Sequence, residues 1–178
     1  MIDLRAAALV VMENESPGLN PEITIDDNGA DVCFGINKAY YSQCPIFEAP
    51  QSQRKGIAID FYVQLGTKHS LNQLENQSIA TRILDALTDP GPGEAGKTLQ
   101  TVINQYIGHS IVAIDGDIGP KTIAAVNSIL TNEKEPPTWW RFLSCYREAL
   151  CYYFLNCALQ DRTKQQYLTS WIRRVLNT

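Results

Sequence analysis

Apolar positions along the chain fall into blocks separated by turn residues. From Ile2 to Met12 they are dense enough for a buried helix, with Ala6 to Ala8 adding propensity. Ser16-Pro17-Gly18 breaks that run. Residues 20–50 are rich in Asn, Asp, Gly and Pro, and within them Val32-Cys33-Phe34-Gly35-Ile36 has β character, which predicts a small hairpin or twisted ribbon. From Gln51 the pattern turns helical, with Ile57, Ile59, Phe61, Tyr62 and Leu65 on one face up to Gly66. Leu74 and Ile79-Ala80 lead into Ile83-Leu84-Ala86-Leu87, which stops at Asp89-Pro90-Gly91 because proline cannot continue the backbone ladder. Gly93-Glu94-Ala95 opens a helix carrying Leu99, Val102, Ile103 and Tyr106, and Gly108 ends it. Gly119-Pro120 starts another through Leu130. A polar linker, Glu133 to Pro137, precedes a long aromatic-rich helix from Trp139 to Leu159 and a last helix from Arg162 to Leu176. The expected architecture is mainly α, a helical bundle with a small β-hairpin element near the N-terminus. Short linkers suit one domain, or two packed lobes divided near Gly91 to Gly96.

A chain of 178 residues can bury one good core. Its net charge of −4 argues against nucleic acid as a partner, since phosphate neutralisation needs a basic face. No segment has the roughly 18 apolar residues that a membrane span requires. The N-terminal run is short, Asp3 precedes Arg5 and no cleavage site follows before Glu13, so it reads as a folded helix and not as a signal peptide. An odd count of five cysteines without such a peptide favours free thiols. With no Cys-x-x-Cys pair and only His69 and His109, no metal site is expected. Lys97-Thr98 after Gly91-Pro92-Gly93-Glu94-Ala95-Gly96 lacks the spacing of a phosphate-binding loop.

The loop region between the first two helices is long enough to suggest a function. Glycoside cleavage needs a protonated carboxyl at the leaving oxygen and a second group that positions water or stabilises the cation. Glu13, after the apolar helix, is the candidate acid: burial at the negative helix end would raise its pKa. Glu15 is its rival. Asp27, in a Gly-flanked turn, would stay ionised. The same residues have a plainer reading, because Asp-Asn-Gly is a common turn and a helix-end Glu is usually solvated. Asp115-Gly116 likewise makes a tight turn whatever its role. Trp139, Trp140, Tyr146, Tyr152 and Tyr153 are assigned to the core, with room for one exposed member to stack on a sugar ring.

Asp27-Asn28-Gly29-Ala30-Asp31-Val32-Cys33-Phe34-Gly35-Ile36-Asn37 resembles the Asp-x-Gly-Gly-x-Thr-Asn-Phe/Tyr-Gly-Ile-Thr motif of the glycoside hydrolase family 108 N-acetylmuramidases, which are lysozyme-like. In that family the motif follows a helix ending in Glu-Gly-Gly, whose Glu is the catalytic acid, and Glu13 matches it by position. Gly93 to Asn104 is similar to the family's Ala-x-x-Leu-Gln-x-x-Asn helix. Ile114-Asp115-Gly116-Asp117-Ile118-Gly119-Pro120-Lys121-Thr122 resembles the Val-Asp-Gly-x-Ile-Gly-Pro-x-Thr signature of its C-terminal peptidoglycan-binding region, and Trp171-Ile172-Arg173-Arg174 its Gly-Trp-x-x-Arg ending. The departures are Asn14-Glu15 for Gly-Gly, a longer spacing from Glu13 to Asp27, Ala30 for the second Gly, and Val32-Cys33 for Thr-Asn.

The resemblance implies a lysozyme-like α+β fold, with a catalytic region at 1–92 and a helical peptidoglycan-binding region at 93–178. It implies a muramidase cutting the β-1,4 link between N-acetylmuramic acid and N-acetylglucosamine. Glu13 would be the acid and Asp27 the base or stabiliser, with water near Cys33. Tyr40 and Tyr41 would line the cleft, and Asp115 and Gly116 would contact the wall. No cofactor is expected. Peptidoglycan is the expected partner, with an inhibitor, immunity or secretion-machinery protein as a possible second. The expected setting is synthesis in the cytoplasm and action on the wall or periplasm, after delivery by lysis (as an endolysin) or by a secretion system. The competing expectations are a catalytically impaired wall-binding or accessory protein, and a lytic transglycosylase.

Overall fold

The computed structural model describes residues 1–132 and 138–178, so the expected linker Glu133 to Pro137 lies outside the described residues. The chain begins with α1 (Leu4–Glu15), capped by the Asp3 carboxylate, which accepts from the amides of Arg5 and Ala6. β1 (Thr24–Ile25), β2 (Asp31–Cys33) and β3 (Ile36–Asn37) form a three-stranded antiparallel sheet in sequential order. A 3-10 turn (Pro45–Phe47) leads to α2 (Gln51–Lys68), and another (Leu71–Gln73) to α3 (Gln77–Thr88). Then follow α4 (Pro92–Ile107), α5 (Pro120–Asn132), α6 (Thr138–Gln160), a 3-10 segment (Arg162–Tyr167) and α7 (Leu168–Asn177). The molecule is mainly α with one small sheet near the N-terminus, as the hydrophobic pattern predicts.

α3 is the hub. Residues 79–87 are buried on every face, because α1, α2, α4 and α6 all pack on it. One apolar core runs from Leu4 through Ile83, Leu99 and Phe142 to Val175. α7 lies along α6, with Trp171 stacked on Phe154 at 4.9 Å, and this docking turns Arg174 toward α3.

Two expectations about elements need correction. The first helix continues past Met12 to Glu15, so Glu13 lies inside the last turn and not at its end. The aromatic face of α6 is only partly core: Tyr146 is buried, whereas Trp139, Trp140 and Tyr152 are exposed. Phe142, Leu143, Tyr146, Leu150 and Phe154 fill the α6 side of the core, Tyr153 packs half-buried against it, and Trp139, Trp140 and Tyr152 are left outside. Among the described residues, no helix is long and apolar enough to cross a membrane.

Candidate functional site

The inward stripe of α1 is Leu4, Ala7, Ala8, Val11 and Met12. Continuing that helical spacing leads to Glu15, while Glu13 falls on the outer face. Glu13 is exposed and accepts a hydrogen bond from the Gly18 amide at 2.9 Å. The shelter expected at Glu13 is found at Glu15, whose side chain is 18% exposed and whose Oε1 lies 2.5 Å from Nη1 of Arg174.

Arg174 holds a cluster together. Its Nε and Nη2 donate to the Asp85 carboxylate at 2.8–3.0 Å, and its Nη1 also lies 3.9 Å from Asp89 Oδ2. Asp85 and Arg82 are fully buried and paired, and Asn14 also donates to Asp85. Arg82 in turn donates to the main-chain oxygens of Arg174 and Val175, which fixes α7 on α3. Three carboxyls (Glu15, Asp85, Asp89) therefore surround two guanidiniums. Burial pushes Asp89 up to about 6; Arg174 opposes the shift, and the Glu15 and Asp85 carboxylates add to it. The carboxyl excess and the raised Asp89 identify a place where the protein can hold a proton near neutral pH.

The sheet brings a turn against this cluster. Phe34 and Gly35 join β2 to β3, both with positive φ (51° and 78°), as a two-residue hairpin requires. Phe34 is buried, and its carbonyl accepts from the Tyr62 hydroxyl at 2.7 Å. Gly35 has a second reason to be glycine: a Cβ there would sit 2.5 Å from Cδ of Glu15. Gly35 also lines an open groove of about 530 Å³ between the hairpin, α2 and the α3–α4 turn, with Asn37, Tyr40, Tyr41, Tyr62 and Thr88. Tyr40 is 81% exposed, and Tyr41 packs edge-on against Phe61 at 4.8 Å. A neighbouring groove of about 560 Å³ shares Tyr40, Tyr41 and Phe61. Flat aromatic faces beside amide and hydroxyl groups suit a sugar ring, which presents both C–H and O–H groups.

The remaining expected residues separate from one another. Asp27 is exposed, and its Oδ2 accepts from the Tyr167 hydroxyl. Its neighbour Asp26 shapes the turn, accepting from the amides of Asn28 and Ala30 and from the side chain of Asn37. The Ala30 amide first, then Asn37, hold the Asp26 carboxyl below its usual range. Cys33 is buried with its thiol toward the Pro21 carbonyl at 3.8 Å, so it does not reach groove water. Burial also pushes this thiol up. The chain's cysteines are all free thiols.

Asp115 and Gly116 lie in a loop pinned by α4. Gln100, almost fully buried, donates to Asp115 Oδ1 at 2.7 Å and to the Asp117 carbonyl at 3.0 Å, and accepts from the Gly116 amide at 2.8 Å. Asn104 accepts from the amides of Ile111 and Val112 and donates to the Val112 carbonyl. A Cβ on Gly96 would overlap the Gly116 carbonyl, so two glycines permit the close approach. The Gln of the α4 motif therefore braces the Asp-Gly turn, and the Asn holds the start of the same loop at Ile111 and Val112. The Asp115 carboxyl is exposed and sits below its usual range, chiefly through the Asp117 amide.

Residues 94–176 match the family model described as "Predicted Peptidoglycan domain". The match spans α4 to α7, including Arg174, and supports association with peptidoglycan. No curated protein and no solved structure matches the chain.

Proposed function

We propose that this protein is a peptidoglycan hydrolase of the muramidase type, working from the groove beside the β2–β3 hairpin. The observation that carries the reading is the position of Glu15: a sheltered carboxyl against Gly35, whose hairpin turn lines the groove together with Tyr40 and Tyr41, in a cluster with one more acid than cations. Glu15 donates its proton to the oxygen bridging N-acetylmuramic acid and N-acetylglucosamine as the bond breaks. Asp27, exposed and accepting from the Tyr167 hydroxyl, is the second carboxylate that the resembling motif implies, the one to stabilise positive charge or to accept a proton from water. The Asp115 loop and the rest of the 94–176 segment hold the wall. We place the action in the wall or periplasm, after delivery by lysis or a secretion system, and a protein seated over Tyr40 and Tyr41 would inhibit it.

One observation favours a second reading, wall binding without cleavage. Cys33 stands where the resembling family has a polar side chain, and its thiol is turned away from the groove. Release of reducing sugar from purified sacculi separates the two. The hydrolase reading expects release by the wild type and by Glu13→Gln, and at least a hundredfold less by Glu15→Gln, about the lower end for removing a general acid. Sacculi that bind the wild type yet release no sugar would leave the binding reading alone.

A further inference from the structure

A separate groove of about 700 Å³ runs between α4 and α6, and all of its lining residues fall inside the segment that matches the peptidoglycan family. Lys97, Thr101 and Gln105 recur every four residues on α4, so they form one wall over about 12 Å. Ala149, Tyr152 and Asn156 form the other wall from successive turns of α6. Short side chains at Thr98, Thr101 and Ala149 do not fill the space between the two helices, so the groove opens above the buried Val102. Tyr152 is 66% exposed at its edge. An aromatic face left in water beside the Gln105 and Asn156 amides and two threonine hydroxyls suits an N-acetylated sugar. Such a sugar presents ring C–H groups and an acetyl methyl together with hydroxyls and an amide. The adjoining groove between α6 and α7 shares Tyr152 but is walled mainly by leucine and isoleucine.

Charge narrows the ligand further. Lys97, the cation among the lining residues, is paired with Glu94 at 2.8 Å, and Glu148 stands on the facing helix. The groove therefore has no surplus positive charge for the carboxylates of a stem peptide or the phosphates of an anionic wall polymer. An uncharged β-1,4-linked N-acetylhexosamine strand meets no such mismatch.

We propose that the α4–α6 groove is a glycan-binding site. An N-acetylhexosamine ring of the wall strand stacks on Tyr152, and Gln105 and Asn156 hydrogen-bond its acetamido and hydroxyl groups. The proposal rests on the wall-holding role proposed above for residues 94–176 and not on cleavage by Glu15.

The test titrates nitrogen-15-labelled full-length protein and follows its backbone amides by NMR. One ligand is chitotetraose, a β-1,4-linked N-acetylglucosamine strand without peptide; the other is a soluble stem peptide. Chitotetraose should shift the amides of residues 97–105 and 149–156 saturably. Tyr152→Ala should weaken that binding about tenfold, the scale of one lost aromatic contact, while Tyr152→Phe should keep it. Tyr40→Ala, in the hairpin groove, should leave the α4–α6 response unchanged. Chitotetraose shifts absent from α4 and α6, an α4–α6 response to the stem peptide alone, or undiminished binding by Tyr152→Ala would each overturn the proposal. Binding at this groove by a wild type that releases no sugar from sacculi would uphold the site and remove the hydrolase reading.

Discussion

Two positions separate Glu13 from Glu15, and on an α-helix that is about 200° of rotation. This places one carboxylate in solvent and the other against the hairpin. The sequence contains the signal, since the apolar stripe of α1 runs on to Glu15 once the helix is allowed a further turn. It was obscured by Ser16-Pro17-Gly18, which marks where the helix must end but not which of two glutamates faces inward. Gly35 tests the same geometry from the other side. Alanine there must hold a φ of +78° with its Cβ against the Glu15 carboxyl. Gly35→Ala should lose roughly 1–3 kcal/mol in urea unfolding, together with most of the sugar release. Full stability and activity would show that nothing presses on that carboxyl.

The element most responsible for the site is α3. It carries Arg82 and Asp85 inside a helix buried all round, where a charge survives only when paired. Asp85→Ala leaves Arg82 without its carboxylate and removes the main anchor of Arg174. The expected loss is about 3–5 kcal/mol in chemical denaturation, and a loss below about 1 kcal/mol, the level of an exposed pair, would contradict the assignment. Asp89, at the end of the same helix, gives a pH dependence. Its carboxyl has a higher pKa folded (about 6) than the ordinary 3.8, so folding takes up a proton between those values and stability falls as pH rises through them. Asp89→Asn removes that dependence. Relative to wild type, the variant should gain stability from pH 4 to pH 7 and change little above; a difference that stays flat across the range would refute the raised value. The helix boundaries were legible from Pro and Gly. The cluster was not: Arg82, Asp85 and Asp89 of α3 meet Glu15 of α1 and Arg174 of α7, helices far apart in sequence, and no local period records that α7 returns to α3.

At the scale of the whole molecule the two halves contribute different parts. The sheet and the first helices supply the groove and Glu15, while the segment matching the peptidoglycan family supplies Arg174 and the loop braced by Gln100 and Asn104. That loop was readable as a turn from Asp-Gly and Gly-Pro, but its brace was not, because a buried glutamine looks like any helix-surface residue. Gln100→Ala strands the Gly116 amide and should cost about 1–3 kcal/mol, with weaker cosedimentation on sacculi; unchanged stability and binding would remove the loop from wall contact. Glu15→Gln, by contrast, should sediment with sacculi as the wild type does. The measurement that tests the central claim most directly is mass spectrometry of sacculi digested by the wild type, Glu13→Gln and Glu15→Gln. The account predicts fragments ending in reducing N-acetylmuramic acid from the first two and none from Glu15→Gln. Anhydro ends would instead mark lytic transglycosylation, and undiminished release by Glu15→Gln, or no release by the wild type, would contradict the account.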